Sequence, residues 1–151
     1  ILRGEDGRSR DFGEDVVRVG GLTSAATDVL VVGADGHYAD KPGELFLFNG
    51  PFIGTLLAEE ADVRLYGASD AQVGLMLASG GDVDGDGVAE VVALARENGG
   101  GGDLLWFSGD VATSGNLSDI ANRIHREMEY APLLGLGPPM DLDGDGLAEL
   151  V

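Results

Sequence analysis

Asp82, Asp84, Asp86 and Glu90 share one short stretch of the chain, and the same spacing returns at Asp141, Asp143, Asp145 and Glu149. Both stretches read Asp-x-Asp-Gly-Asp-Gly-x-Ala-Glu. A tight loop can turn side chains from positions 1, 3 and 5 toward one centre, and a hard cation such as calcium takes six to eight oxygens at about 2.3 to 2.6 Å. The pattern therefore predicts two calcium ions. Asp82, Asp84 and Asp86 would converge on one, with the carbonyl of Val88 as a further ligand and Glu90 closing the shell. Asp141, Asp143, Asp145, the Leu147 carbonyl and Glu149 would do the same for the other. Gly85, Gly87, Gly144 and Gly146 stand at positions 4 and 6, where the backbone must take turns that a Cβ resists. Without a cation, four crowded carboxylates repel one another and some of their pKa values rise.

The first half of this pattern is shared with the EF-hand, which places its bidentate Glu at position 12, ahead of a helix. Here position 12 of the first loop is Ala93, inside an apolar run, so the EF-hand and the related dockerin pattern are excluded. Other chemistries find little support. The histidines are His37 and His125, there is no cysteine, and no Gly-x-Ser-x-Gly elbow occurs. Glu59–Glu60 and Glu127 with Glu129 could form acid–base pairs, but they read better as a charged rim, and the two histidines as exposed or packing residues.

The elements that must hold these loops repeat. Asp82 and Asp141 are 59 residues apart, and the same shift lays Phe48 on Phe107, Gly50 on Gly109, Arg64 on Arg123 and Leu65 on Ile124. An earlier copy follows slightly longer shifts, of 62 residues where Asp28-Val-Leu-Val-Val matches Glu90-Val-Val-Ala-Leu and of 61 where Phe12-Gly13 matches Val73-Gly74. In that copy Gly20 to Thr27 takes the place of the acidic loop and offers no carboxylate, so no metal is expected there.

Each unit then reads as a glycine-containing approach, the loop, an apolar strand, a Gly-rich turn and a second apolar strand. Short runs of Val, Leu, Phe and Trp bounded by Gly and Asn are strands buried on both faces. Ser118 to Tyr130 has helical propensity, with Ser118 as a cap, but its counterpart Glu59 to Tyr66 ends in the alternating Val63, Arg64, Leu65 and Tyr66, so a strand is expected for both. A fixed period of this size signals a propeller or a solenoid. The expected fold is all-β, built of β-propeller blades with four-stranded antiparallel sheets. The units are residues 1–60 with a degenerate loop, 61–119 with a calcium loop, and a partial unit at 120–151 with a second calcium loop. A chain of 151 residues holds about two and a half such units, whereas propellers have about four to eight blades. The chain is thus expected to be an incomplete propeller and a piece of something longer.

Composition narrows the partners. Against 27 acidic groups stand nine basic ones, and the formal charge of −18 repels nucleic acid and anionic lipid alike. The absence of cysteine removes disulfides and thiolate metal sites. No apolar run approaches the roughly 20 residues of a membrane span, so no nucleic acid partner and no membrane insertion are expected.

Phe12-Gly13, Gly33-Ala34, Asp82-Val-Asp-Gly-Asp-Gly and Asp141-Leu-Asp-Gly-Asp-Gly together resemble the FG-GAP repeats of integrin α-subunit propellers and many bacterial surface proteins. The resemblance spans essentially the whole chain. It implies one calcium ion per complete loop and a propeller used for adhesion or partner binding. Val73 and Leu134 replace the signature phenylalanine in later units, no proline follows Gly33-Ala34, and position 9 is Glu. These departures point to a bacterial or otherwise divergent member. The expected function is a calcium-stabilised extracellular or cell-surface module for adhesion or for binding a protein or glycan, with the remaining blades as its structural partners. The alternative is part of a propeller enzyme, of lyase, glycosidase or quinoprotein type, whose catalytic residues lie largely outside this segment.

Overall fold

The computed structural model describes residues 1–4, 11–20, 28–36, 42–69, 71–79, 81–97, 102–126, 137 and 141–148. Strands dominate them: β1 (Leu2–Arg3), β2 (Val16–Val19), β3 (Val29–Ala34), β4 (Glu44–Asn49), β5 (Leu56–Leu57), β6 (Val63–Tyr66), β7 (Ala71–Ser79), β8 (Glu90–Glu97), β9 (Gly102–Ser108), β10 (Gly115–Asn116) and β11 (Asn122–Arg126). The fold is all-β with antiparallel sheets, as the apolar runs predict. Strands β2, β3, β4 and β6 form one antiparallel sheet, which the two residues of β10 extend in parallel beyond β6. Strands β7, β8, β9 and β11 form a second, wholly antiparallel sheet.

Two segments differ from expectation. A 3₁₀ turn at Ala58–Glu60 precedes β6, and a four-residue helix, α1 (Leu117–Ile120), precedes β11. Each is a single turn closed by one hydrogen bond, Ala61 N–H to Ala58 O and Ala121 N–H to Leu117 O. Each anchors its first residue in the core, Ala58 or Leu117, while Glu59 and Glu60, or Ser118 and Asp119, face solvent. Burying one residue in four and exposing the next two suits a tight turn better than an alternating strand. Residues 127–130, the end of the second expected strand, lie outside the described residues.

The 59-residue register recurs in these elements: Leu56 of β5 moves to Gly115 of β10, Ala58 to Leu117, and Val63 of β6 to Asn122 of β11. Gly50 donates its N–H to the carbonyl of Asp28, and Gly109 donates its own to the carbonyl of Ala89. Both bonds tie the end of an apolar strand to the exit of the preceding loop.

Alternation along the strands gives each sheet two apolar faces. Val31, Leu45, Leu47, Val63 and Leu65 pack with Val73, Leu77, Val91, Ala93, Leu105 and Phe107 in a core shared by both sheets. Val32, Phe46 and Phe48 cover the other face of the first sheet, where Phe12 meets Phe46 edge-on at 5.0 Å. Val92, Leu94 and Leu104 form the other face of the second sheet, beside Met76 and Trp106. Burying each large side chain contributes about 1.5 to 3 kcal/mol.

Between the sheets, backbone approaches backbone. A Cβ on Gly33 would stand 2.1 Å from the carbonyl oxygen of Gly74, so no side chain fits there. A bulge interrupts β7 between Val73 and Leu77, and the N–H of Leu77 turns across to the Asp15 carboxylate of the first sheet at 2.7 Å. The second sheet is therefore held to the first by polar bonds as well as by the core.

Candidate metal centre

Glu90 is the first residue of β8, so the acidic loop runs directly into a central strand of the second sheet. Strand pairing fixes its backbone, and its N–H donates to the Gly81 carbonyl at the loop entrance at 2.9 Å. Entrance and exit are thereby held together.

Within the loop, carboxylates organise the backbone. Asp82 accepts the N–H of Gly85 on Oδ1 at 2.6 Å and that of Gly87 on Oδ2 at 2.9 Å. Asp84 Oδ1 accepts from Asp86 N–H at 3.1 Å, and Asp86 Oδ1 accepts from Val88 N–H at 2.8 Å. These bonds need Gly85 and Gly87 at φ of 81° and 86°, a left-handed conformation that strains any residue with a Cβ. Asp82, Asp84, Asp86 and Glu90 each bring one carboxylate oxygen to within 4.8 Å of the others.

Glu90 gives this cluster its chemistry. Its side chain is fully buried, Oε2 accepts the Val83 N–H at 2.5 Å, and Oε1 is buried with no hydrogen-bond partner among the described residues. Burial pushes its pKa from 4.5 to about 7; the Val83 hydrogen bond opposes that rise, while the charges of Asp84, Asp86 and Asp82 add to it. A buried acceptor without a donor costs about 1 to 3 kcal/mol, and more when charged. A cation beside it would supply the missing partner and offset the repulsion. The donor set, hard carboxylate oxygens without nitrogen or sulfur, suits an oxygen-seeking metal ion.

The second loop repeats the first bond for bond. Asp141 accepts from Gly144 N–H at 2.6 Å and from Gly146 N–H at 3.0 Å, Asp143 from Asp145 N–H at 3.1 Å, and Asp145 from Leu147 N–H at 2.8 Å. Asp141, Asp143 and Asp145 converge within the same 4.8 Å. They are exposed, and Glu149 lies outside the described residues. Val88 and Leu147, read from sequence as carbonyl ligands, close their loops as N–H donors.

The degenerate loop falls at Gly20 to Thr27, of which residues 21–27 lie outside the described residues. Its exit is visible. Asp28, matched to Glu90 in the sequence, takes the place of Ala89 in the strand register, since Val29 pairs with Asn49 as Glu90 pairs with Ser108; it forms an ion pair with Arg18 at 2.5 Å, with both side chains substantially exposed.

Glu59 and Glu60 lie exposed in the 3₁₀ turn, and His125 sits in β11 with its backbone opposite Asp103. His37, Glu127 and Glu129 lie outside the described residues. Three contributors to the geometry of the acidic cluster carry no signal in the sequence, because they act through the backbone: Gly81, Val83 and Ala148, whose N–H donates to the Asp82 carbonyl at 2.8 Å. Asp15 reads as one more surface acid, yet its carboxylate spans the two sheets. No helix among the described residues is long and apolar enough to cross a membrane. Comparison of the chain with protein-family models, curated proteins and solved structures finds no match.

Proposed function

We propose that the chain is a calcium-stabilised, FG-GAP-like segment of a β-propeller that acts outside the cell as an adhesion or ligand-binding module. The observation that carries the metal reading is Glu90, a fully buried carboxylate whose Oε1 has no partner among the described residues and which faces three converging aspartates. Asp82, Asp84, Asp86 and Glu90 would hold one ion, with the Val88 carbonyl; Asp141, Asp143, Asp145 and Glu149 would hold a second, with the Leu147 carbonyl. Calcium is favoured because the donors are all oxygen and the glycine-rich loops can widen to the six to eight ligands it takes, whereas magnesium demands a tight octahedron. The ion's role is to neutralise the cluster and lock the loop at the entry to a central strand.

Two four-stranded antiparallel sheets, joined in sequence, packed face to face and repeating in register, support the propeller reading. Extracellular calcium modules bind at about 0.1 to 1 mM, which suits an exported protein better than a cytosolic one. The partner is proposed to be a protein or glycan, and the propeller's remaining blades would complete the structure.

Calorimetric titration of metal-stripped protein with calcium tests the metal reading. Uptake of two ions per chain at sub-millimolar affinity is expected, with magnesium weaker. Absence of calcium uptake at millimolar concentration overturns it.

A further inference from the structure

We infer that the second acidic loop forms part of the first cation site, with Ala148 and Leu147 as positioning residues for Asp82 and Gly85. The inference rests on the cation reading above and adds a dependence between the two loops. Asp82 is the hub of its loop. Its carboxylate holds the N–H groups of Gly85 and Gly87, and its carbonyl oxygen accepts the N–H of Ala148 at 2.8 Å. Asp82 is thus fixed from within its own loop and from the next unit.

The side chains repeat the contact. Leu147 Cδ2 lies 3.1 Å from where a Cβ on Gly85 would stand, so Leu147 fills the space over the Gly85 turn. Of residues 141–148, Ala148 alone is buried. The second loop is therefore a wall of the first site, and its own geometry sets where that wall stands. Asp145 fixes the N–H of Leu147, one residue before the bond to Asp82.

Ordering the second loop with an ion loses conformational freedom that the first site would otherwise lose when it binds. Occupancy of one site then strengthens the other, and the coupling is reciprocal. Sequence spacing alone gives two separate loops 59 residues apart.

The test is calcium calorimetry on the full chain and three variants. Asp143→Asn with Asp145→Asn empties the second loop, Leu147→Ala removes the wall but keeps every carboxylate, and Leu147→Met keeps the bulk. The double variant should bind one ion, about fivefold or more weaker than the parent's mean affinity, a factor at the lower end of typical couplings. Leu147→Ala should weaken binding in the same direction, and Leu147→Met should restore it. Melting temperatures of the metal-stripped proteins should stay together. Unchanged calcium affinity in the double variant and in Leu147→Ala overturns the inference while leaving the cation reading intact. A fall in the metal-free melting temperature at unchanged affinity also overturns it, since that is a purely structural role. A parent chain that takes up no calcium overturns the cation reading itself.

Discussion

Glu90 and Asp28 stand one register position apart at the entries to central strands of the two sheets, yet they meet different fates. Glu90 opens the central strand β8 and Asp28 immediately precedes the central strand β3, and a glycine N–H at the end of the following strand bonds the carbonyl of Asp28 in one sheet and that of Ala89, the residue before Glu90, in the other. Glu90 is fully buried, keeps one oxygen without a partner among the described residues and faces three aspartates. Asp28 lies nearer the surface and pairs with Arg18 from the neighbouring strand β2. The entries to two central strands therefore carry two solutions to the same problem. A carboxylate at a loop exit needs positive charge, and a guanidinium from within the chain supplies it in one unit, whereas the other has a cluster shaped for a cation from outside.

The largest effect expected from this contrast is loss of metal. If each ion stabilises the fold by about 1 to 2 kcal/mol through linkage, excess chelator at neutral pH should lower the melting temperature on the order of 10 °C, at the few degrees per kcal/mol usual for a chain of this length. An unchanged melt would dissolve the contrast between the two units.

Glu90→Gln should reverse sign with conditions. In millimolar calcium it should destabilise by about 1 to 2 kcal/mol, the contribution of one ion. In metal-free protein at pH 8 it should stabilise, because it removes a buried charge beside three others. Denaturant melts with and without calcium check both arms, and destabilisation of equal size in both would mean that Glu90 serves only packing.

The pH dependence of metal-free protein sharpens the same point. The Glu90 carboxyl has its pKa raised from 4.5 to about 7 by burial, so the folded chain holds this proton more tightly than the unfolded one. Its contribution to stability is full below about 4.5 and is lost as pH rises through about 7. Metal-stripped protein should therefore lose stability between pH 5 and pH 8 by more than Glu90→Gln does, and parallel profiles of the two proteins would refute the assignment.

The smallest effect belongs to the other unit. Arg18→Ala breaks an exposed ion pair and should cost under about 1 kcal/mol. The cost should be the same with calcium or chelator, measured by denaturant melts. A calcium-dependent cost would show that the first unit also answers to the ion.

Much of this was legible in the residues. The runs Val29–Ala34, Glu44–Asn49, Glu90–Glu97 and Gly102–Ser108 declare themselves as strands because each is apolar on both faces and bounded by turn residues. The aspartates at positions 1, 3 and 5 declare a shared centre because a tight loop leaves their side chains few other directions. The helical turn at Leu117 has a propensity signal from Ser118 onward, but the alternating residues Val63 to Tyr66 of its counterpart favour a strand, and one turn at Ala58 or Leu117 is too short to establish a period against them.

The sequence by itself determined the repeat, the all-β class and the identity of the clustered carboxylates, because periodicity and side-chain chemistry are local properties. Only the tertiary structure decided that Glu90 is buried with an oxygen unpartnered, that Asp28 has Arg18 instead, that Gly33 lies against Gly74, and that the second acidic loop leans on the first through Ala148. Burial and backbone hydrogen bonds depend on which segments pack together, and residue types that act through N–H and C=O leave no trace of their partners in the sequence.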